Sequence, residues 1–205
     1  MTRLICTFLL LLFSSSTSAA TVFYLHGKII EDKGDNAVHP EYGIYQYGRI
    51  VSELQADGHH VISEVRPVNT NRTEYAKTIV HSIDTLLSEG MPPNDIVVMG
   101  FSKGAQIAIL VSQALANPDV RFVLQAVCGS WVAHYDHLQI YGNVLSMYET
   151  SDLAGSCNAL FQKSPASACE IAISTGLKHG AFYRPIDEWL IPLRQWISHP
   201  KCHNN

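Results

Sequence analysis

The sequence has few charged residues and lacks any cluster of one charge. Charged residues make up 16% of the 205 positions, and the formal net charge is −4. Without a basic patch or an arginine-rich run, nucleic acid is not an expected partner, and no strongly acidic face indicates a cationic one. Hydrophobic residues account for 47% of the chain. The chain can therefore bury a sizeable core, and its length fits one domain.

Long hydrophobic runs are absent apart from one near the start. Positions 4–13 are apolar except for Thr7, which is too short for a comfortable membrane span. Arg3 precedes this run, and small residues follow it up to Ala20, as in a secretory signal peptide. We expect cleavage after Ala20, a domain formed by residues 21–205, no membrane span in the mature chain, and a secreted or periplasmic location. A retained N-terminal anchor is the alternative.

Cysteines are few, and removal of the leader would leave four of the five, namely Cys128, Cys157, Cys169 and Cys202. An even number in an exported chain is compatible with two disulfides, which could pair in three ways. We prefer Cys157 with Cys169, because they bracket a short polar loop, and this choice leaves Cys128 to pair with Cys202. Alternatively, Cys128 is a small apolar residue at the end of a buried strand.

Metal-binding spacings are also missing. No C-x-x-C or H-x-x-x-H pattern links the cysteines, and His134-x-x-His137 has no third ligand nearby in the sequence. We therefore predict no metal site and no organic cofactor. Asn71-Arg72-Thr73 is a glycosylation sequon, which matters only in a eukaryotic secretory pathway.

The most informative segment, positions 96–105, reads IVVMGFSKGA. An apolar strand runs into Gly-x-Ser-x-Gly, and good helix formers follow. In such an elbow the serine lies on a tight, strained turn, and its flanking positions crowd the backbone so that only glycine fits. The hydroxyl of Ser102 would then stand at the tip of a sheet, with the free N–H groups of a helix behind it. An ordinary turn is the alternative.

Strand and helix patterns alternate along the rest of the chain. Such alternation predicts an α/β fold with a mainly parallel sheet of about six strands and helices on both faces. We predict strands at 21–25, 60–65, 96–99, 121–127, 142–148 and 168–174, helices at 41–56, 72–88, 105–110 and 186–198, and a loop at 29–40.

Polar residues that follow these strands would gather at one edge of the sheet. A serine nucleophile needs a base, and the base needs an orienting acid. After Ser102, Asp152 follows one strand and His179 follows another, which is the chain order of the α/β-hydrolases. Two alternatives stay open at this acid: Asp152 is a turn residue, and Glu149 is the true partner of the histidine.

The chain resembles the α/β-hydrolase superfamily over essentially all of the mature sequence. The resemblance is carried by His26-Gly27, the Gly100 to Gly104 elbow, the strand end at 148–152, and His179-Gly180. It is strongest to small, lidless members related to dienelactone hydrolases and carboxylesterases. It implies a compact α/β-hydrolase fold.

The same resemblance implies the roles of the site residues. Ser102 would be the nucleophile, His179 the general base and then acid, and Asp152 the acid that orients the imidazole. The oxyanion hole would use the backbone N–H of Lys103 and one N–H from Gly27 or Lys28.

The substrate is expected to be a small-molecule ester of small or medium size. Only about fifteen residues lie between the fourth and fifth predicted strands, so a lid that could enclose a fatty chain is not expected. Trp131 and Tyr135 in that segment would wall a pocket, or are ordinary packing residues. His26 is a further candidate there, although a histidine beneath such a loop is more often a packing residue.

The expected function is thus that of an exported serine hydrolase. Thioesterase, acyltransferase and peptidase activities remain alternatives, because fold and triad do not fix the substrate. A non-catalytic binding protein with the same fold is another. The sequence indicates no oligomeric state.

Overall fold

Strands and helices alternate in the computed structural model, which describes residues 19–201. The strands in this part of the chain are β1 (Thr21–Leu25), β2 (Val38–His39), β3 (Gly43–Ile44), β4 (His60–Ile62), β5 (Ile96–Phe101), β6 (Arg121–Gln125), β7 (Asn143–Glu149) and β8 (Ser167–Ile173). The helices are α1 (Lys28–Lys33), α2 (Tyr47–Ala56), α3 (Arg72–Ser88), α4 (Lys103–Leu115), α5 (Ser130–Ala133), α6 (Asn158–Phe161) and α7 (Asp187–Ser198), with short 3₁₀ helices at Pro93–Asp95 and Lys178–Tyr183.

Six of these strands form one sheet in the order β4-β1-β5-β6-β7-β8, while β2 and β3 form a separate hairpin. Every pair of neighbours in the six-stranded sheet is parallel. The predicted α/β fold with a parallel sheet of about six strands is confirmed. All six strands therefore deliver the residues that follow them to the same edge, where ligands of such sheets bind.

The core lies in two layers, one on each face of the sheet. Successive strand residues point to opposite faces, so on β5 Val97 and Met99 join one layer, while Ile96 and Val98 join the other. Helices α2 and α7 cover the first face, and α3 and α4 cover the second. Helices on both faces explain why the central strands are almost continuously apolar.

Helix α3 has the predicted bounds because its start is well specified. The side-chain oxygen of Asn71 accepts hydrogen bonds from the N–H groups of Thr73 at 2.9 Å and Glu74 at 3.2 Å. This is N-cap geometry. Helix α2, in contrast, begins at Tyr47 and not at residue 41, because the chain first forms the β2–β3 hairpin.

A short helix, α1, lies where a loop was predicted. The many polar residues of this segment favoured the prediction of a loop. In the structure Lys28 and Asp32, one helical turn apart, form an ion pair at 2.6 Å. Ile30 and Glu31 are buried on its inner side. Burial of a carboxylate inside a six-residue helix is not a pattern that hydrophobic periodicity detects.

The preferred disulfide pairing is wrong. A disulfide joins Cys128 to Cys157, whose Cα atoms are 5.0 Å apart, so neither Cys157–Cys169 nor Cys128–Cys202 forms. Cys128 follows β6 and Cys157 follows β7, and these neighbouring strands end at the same edge. Nearness in sequence was thus a poor guide to nearness in space. Cys169, on β8, is disulfide-bonded as well, and Cys202 lies outside the described residues.

The N-terminal end of the described chain is part of the fold, whereas residues 1–18 of the predicted leader lie outside the described residues. Ala20 is 0% exposed. Its N–H donates to Nδ1 of His59 at 3.3 Å, and its carbonyl accepts from the N–H of His60 at 2.9 Å. Cleavage after Ala20 would remove this residue, and cleavage one residue earlier would keep it.

A chain that begins at Thr21 is therefore expected to be less stable than one that begins at Ala20. We expect a loss of about 1 kcal/mol in the free energy of unfolding, because a buried methyl group and a backbone hydrogen bond are lost. Urea unfolding of the two chains measures the difference. Equal stabilities would contradict this role of Ala20.

None of the helices between residues 19 and 201 is both long enough and apolar enough to span a membrane.

Candidate active site

Ser102 lies in a strained turn between β5 and α4. Its backbone has φ 53° and ψ −117°, a conformation that costs a non-glycine residue roughly 1–3 kcal/mol. The turn is held because the N–H of Ser102 donates to the carbonyl of Gln125 at 2.9 Å, and its carbonyl accepts from Gln106 at 3.0 Å. The side chain of Ser102 is half-buried at the N-terminus of α4.

Both flanking glycines are sterically required. A Cβ on Gly100 would lie 2.4 Å from the carbonyl oxygen of Gly104, and one on Gly104 would lie 1.8 Å from the carbonyl oxygen of Leu25. Helix α4 thus packs its first turn directly on the backbone of β1. This close approach is the reason for glycine at position 104, and the tight turn itself, which brings the backbone of Gly104 and Ala105 over position 100, is the reason for Gly100.

His179 and Asp152 form a hydrogen-bonded pair beside this elbow. Nδ1 of His179 lies 2.7 Å from Oδ2 of Asp152, and the ring of His179 packs against that of Phe101 with centroids 4.7 Å apart. A carboxylate only accepts hydrogen bonds, so Nδ1 of His179 is the donor in this pair. The side chains are 24% and 8% exposed, respectively. The imidazole is thus reachable, while its carboxylate partner is shielded.

Glu149, the alternative acid, accepts hydrogen bonds from the backbone of two loops. Its carboxylate is fully buried. One oxygen accepts from the N–H of Ser151 at 2.7 Å, and the other accepts from the N–H groups of Thr175 and Gly176, both at 2.9 Å. Burial by itself would raise the pKa of Glu149, but the hydrogen bond from the hydroxyl of Ser151, together with those from the three N–H groups, outweighs it and lowers the pKa to about 2. Glu149 therefore links the loop that carries Asp152 to the loop that leads to His179.

The depressed pKa of Glu149 predicts a pH-dependent effect of Glu149→Gln. A group whose pKa is lower in the folded state stabilises the fold above its ordinary pKa, and this contribution is lost as the pH falls towards the folded value. The variant should be less stable than the wild type at pH 6, and the difference should shrink between about pH 4.5 and pH 2. Urea unfolding at several pH values measures it. A difference that stays constant with pH would contradict this interpretation.

Two backbone N–H groups near Ser102 lie at the first positions of helices. Lys103 is the first residue of α4, and Lys28 is the first residue of α1, so neither N–H has an acceptor within its helix. Gly27 precedes Lys28, and a Cβ on Gly27 would lie 3.7 Å from Cβ of Ser102. The loop of Gly27 and Lys28 is thus adjacent to the serine.

No protein-family model matches this sequence, and no curated protein matches it. Solved structures do. SOBER1 of Arabidopsis thaliana matches with a TM-score of 0.57 at 13% sequence identity, over 88% of this chain and 98% of that one. XC6422 of Xanthomonas campestris, an α/β serine hydrolase without a lid, matches with a TM-score of 0.57 at 13% identity, over 90% and 83%. A mutant of the esterase E40 matches with a TM-score of 0.56 at 14% identity, over 87% and 73%. The chain has the α/β-hydrolase fold.

Within this α/β-hydrolase fold, His26 lies beneath the loop of Gly27. It is 0% exposed, its Nε2 accepts from the N–H of Arg66 at 3.0 Å, and its Nδ1 donates to the carbonyl of Gly27 at 2.8 Å. Burial and the nearby Arg66 lower the pKa of His26 to about 4. His26 is therefore neutral at physiological pH, in the environment of a packing residue.

Trp131 and Tyr135 lie in the α5 segment, with ring centroids 5.3 Å apart. Trp131 is half-buried, and Tyr135 is 41% exposed. This segment contacts the loop that carries Asp152, because a Cβ on Gly129 would lie 2.4 Å from the carbonyl oxygen of Leu153. The Cys128–Cys157 disulfide ties the same two segments together.

Sequence reasoning missed a buried ionic cluster under the elbow, formed by Lys103, Glu31 and Arg66. Glu31 and Arg66 have fully buried side chains, and Lys103 is 7% exposed. The only signal in the sequence was the lysine inside the Gly-x-Ser-x-Gly motif, and nothing there indicated its partners. Among the described residues, no group of histidine, cysteine, aspartate and glutamate side chains is arranged to hold a metal ion.

Proposed function

We propose that the protein is an exported serine hydrolase that cleaves small or medium carboxylic esters through an acyl-enzyme. The observation that carries this proposal is the 2.7 Å pair of His179 and Asp152, whose imidazole packs against Phe101, the residue before Ser102. Ser102 itself is held at φ 53° on a helix N-terminus. The esterase E40 and the lidless serine hydrolase XC6422 have the same fold, which supports the class of reaction.

In the proposed first step, Oγ of Ser102 bonds to the carbonyl carbon of the ester while its proton passes to Nε2 of His179. The C–O bond to the alcohol then breaks, and the alcohol leaves with that proton. Water attacks the acyl-enzyme by the same route, which releases the acid and restores Ser102. Asp152 keeps the proton on Nδ1 and stabilises the imidazolium that forms.

The negative charge that develops on the carbonyl oxygen needs hydrogen-bond donors. The N–H groups of Lys103 and of Lys28 or Gly27 are the proposed donors, each worth on the order of 3 kcal/mol in the transition state. The dipole of α4 points its positive end to the same place. Trp131 and Tyr135 are proposed to wall the acyl or alcohol pocket.

Rates on aryl esters of graded chain length, with Ser102→Ala as the variant, test the proposal. We expect turnover of short and medium esters by the wild type and a loss of about 10⁴-fold or more in the variant. Ser88→Ala, at the exposed end of α3, is the matched control and should keep full activity. Unchanged turnover in Ser102→Ala would refute the assignment of Ser102 as the nucleophile. Turnover confined to thioesters or amides would replace esters as the proposed substrate class.

Export is proposed from the leader alone. We expect a secretory host to release a chain that begins at Thr21, or at Ala20 if cleavage falls one residue earlier, and N-terminal sequencing measures which. Retention of the whole chain in the cytoplasm would contradict this part of the proposal.

A further inference from the structure

The buried ionic cluster of Lys103, Glu31 and Arg66 needs an explanation beyond stability. Nζ of Lys103 lies 2.5 Å from Oε1 of Glu31, and Nε of Arg66 lies 3.6 Å from Oε2 of the same carboxylate. Desolvation of buried charges often costs as much as their attraction returns, so a buried ion pair is weak evidence for stability. A role in fixing a particular local arrangement is the better-founded reason for such a cluster.

The ion pair of Lys103 and Glu31 joins the two helices that flank the serine. Lys103 is the first residue of α4, and Glu31 lies on α1, which begins at Lys28. The two proposed oxyanion donors, the N–H groups of Lys103 and Lys28, are thus on the helices that this pair holds together. Movement of one helix relative to the other would change the distance between the donors.

Arg66 fixes the loop between β1 and α1 from the other side. Its guanidinium donates to the carbonyl of His26, and its backbone N–H donates to Nε2 of His26 at 3.0 Å. His26 in turn holds the carbonyl of Gly27 at 2.8 Å. The peptide groups on both sides of Gly27 are therefore oriented by a chain of contacts that starts at Arg66.

The backbone of Thr70 contacts both Lys103 and Glu31. Its carbonyl accepts from Nζ of Lys103 at 2.7 Å, and its N–H donates to Oε1 of Glu31 at 3.1 Å. The loop after β4 is thereby fixed to both helices. The carboxylate of Glu31, on α1, thus contacts both α4 and the loop after β4, at the edge of the sheet where Ser102 lies.

We propose that Glu31, Arg66 and the side chain of Lys103 are positioning residues that hold the two halves of the oxyanion hole at a fixed separation. The inference rests on the proposed function and adds residues to it. None of these side chains touches the reacting atoms. They act through the backbone N–H groups of Lys28, Gly27 and Lys103.

The expected kinetic signature is a loss in kcat with little change in KM. Loss of one oxyanion donor costs roughly 10²- to 10³-fold in kcat, so misplacement of one should cost about 10- to 100-fold. Glu31→Gln and Lys103→Met are the variants. Lys103→Met keeps much of the buried aliphatic stem and is the safer of the two for folding. The pH profile of kcat/KM should keep its acidic limb, because His179 and Asp152 are untouched.

A transition-state analogue separates positioning from a merely structural role. A trifluoromethyl ketone adds to the serine and places an oxyanion in the hole, so its affinity should fall by the same factor as kcat/KM. Lys77→Met and Glu74→Gln change an exposed Lys–Glu pair on α3 and are the matched controls. They should leave kcat, KM and inhibitor affinity unchanged. Each comparison uses variants shown to be folded by urea unfolding.

Two results would overturn the inference. The first is folded Lys103→Met or Glu31→Gln protein with wild-type kcat and inhibitor affinity. The second is a KM that rises with kcat unchanged. Failure of the proposed function is distinguishable from both, because wild-type protein would then form no adduct with the ketone and show no Ser102-dependent turnover.

Discussion

Replacement of Asp152 by asparagine is expected to lower kcat for ester hydrolysis by about 10³- to 10⁴-fold while the protein stays folded. Oδ2 of Asp152 lies 2.7 Å from Nδ1 of His179, and an amide group there can donate to that nitrogen instead of accepting from it. The imidazole would then carry its proton on Nε2 and could not take the proton of Ser102. Steady-state kinetics on an aryl ester measures the effect.

Asp84→Asn is the matched control for this prediction. Asp84 is an exposed residue of α3, and its replacement should leave kcat unchanged. The assignment of the acid would be contradicted if Asp152→Asn lost less than about tenfold while Glu149→Gln lost about 10³-fold. That result would move the orienting role to Glu149.

Replacement of Gly104 by alanine is expected to prevent folding or to cost more than about 4 kcal/mol. The added Cβ would lie 1.8 Å from the carbonyl oxygen and 2.5 Å from the carbonyl carbon of Leu25. These are backbone atoms of a central strand, so no side-chain rotation relieves the clash. Helix α4 would have to move away from β1. Urea unfolding, or the yield of soluble protein, measures the effect.

Gly48→Ala is the control for a glycine in a helix. Gly48 lies in α2, and an added Cβ meets nothing within 4 Å. That substitution should stabilise the protein by about 0.5–1 kcal/mol. A folded Gly104→Ala variant of wild-type stability would contradict the close approach of α4 to β1.

The sequence was most informative where local patterns and the fold agree. Helix α3 has both its N-cap, Asn71, and a regular apolar face, so its bounds could be predicted from residue 72 to residue 88. The elbow at Ser102 combines a strand, two glycines and a helix former in one short segment. Ser102, Asp152 and His179 each follow a different strand, which predicted a shared edge, because parallel strands end on the same side.

Other features could not be predicted because long-range contacts decide them. Glu31 is buried in a short helix beside partners that are distant in sequence, among them Lys103, which lies 2.5 Å away and 72 positions along the chain. The Cys128–Cys157 disulfide depends on the sheet order, which places β6 beside β7. Glu149 looked like a candidate acid, but its role depends on N–H groups of the loop after β8. A local periodic pattern in the sequence cannot predict this ion pair, this disulfide or these hydrogen bonds.

The central claim is that Ser102 is an activated nucleophile, and covalent labelling tests it most directly. Wild-type protein is treated with a fluorophosphonate, digested, and analysed by peptide mass spectrometry. The account predicts one phosphonyl group per chain on the peptide that contains Ser102, with labelling strongly slowed in Asp152→Asn and absent in Ser102→Ala. Folded wild-type protein that takes up no label, or takes it up on another residue, would contradict the account.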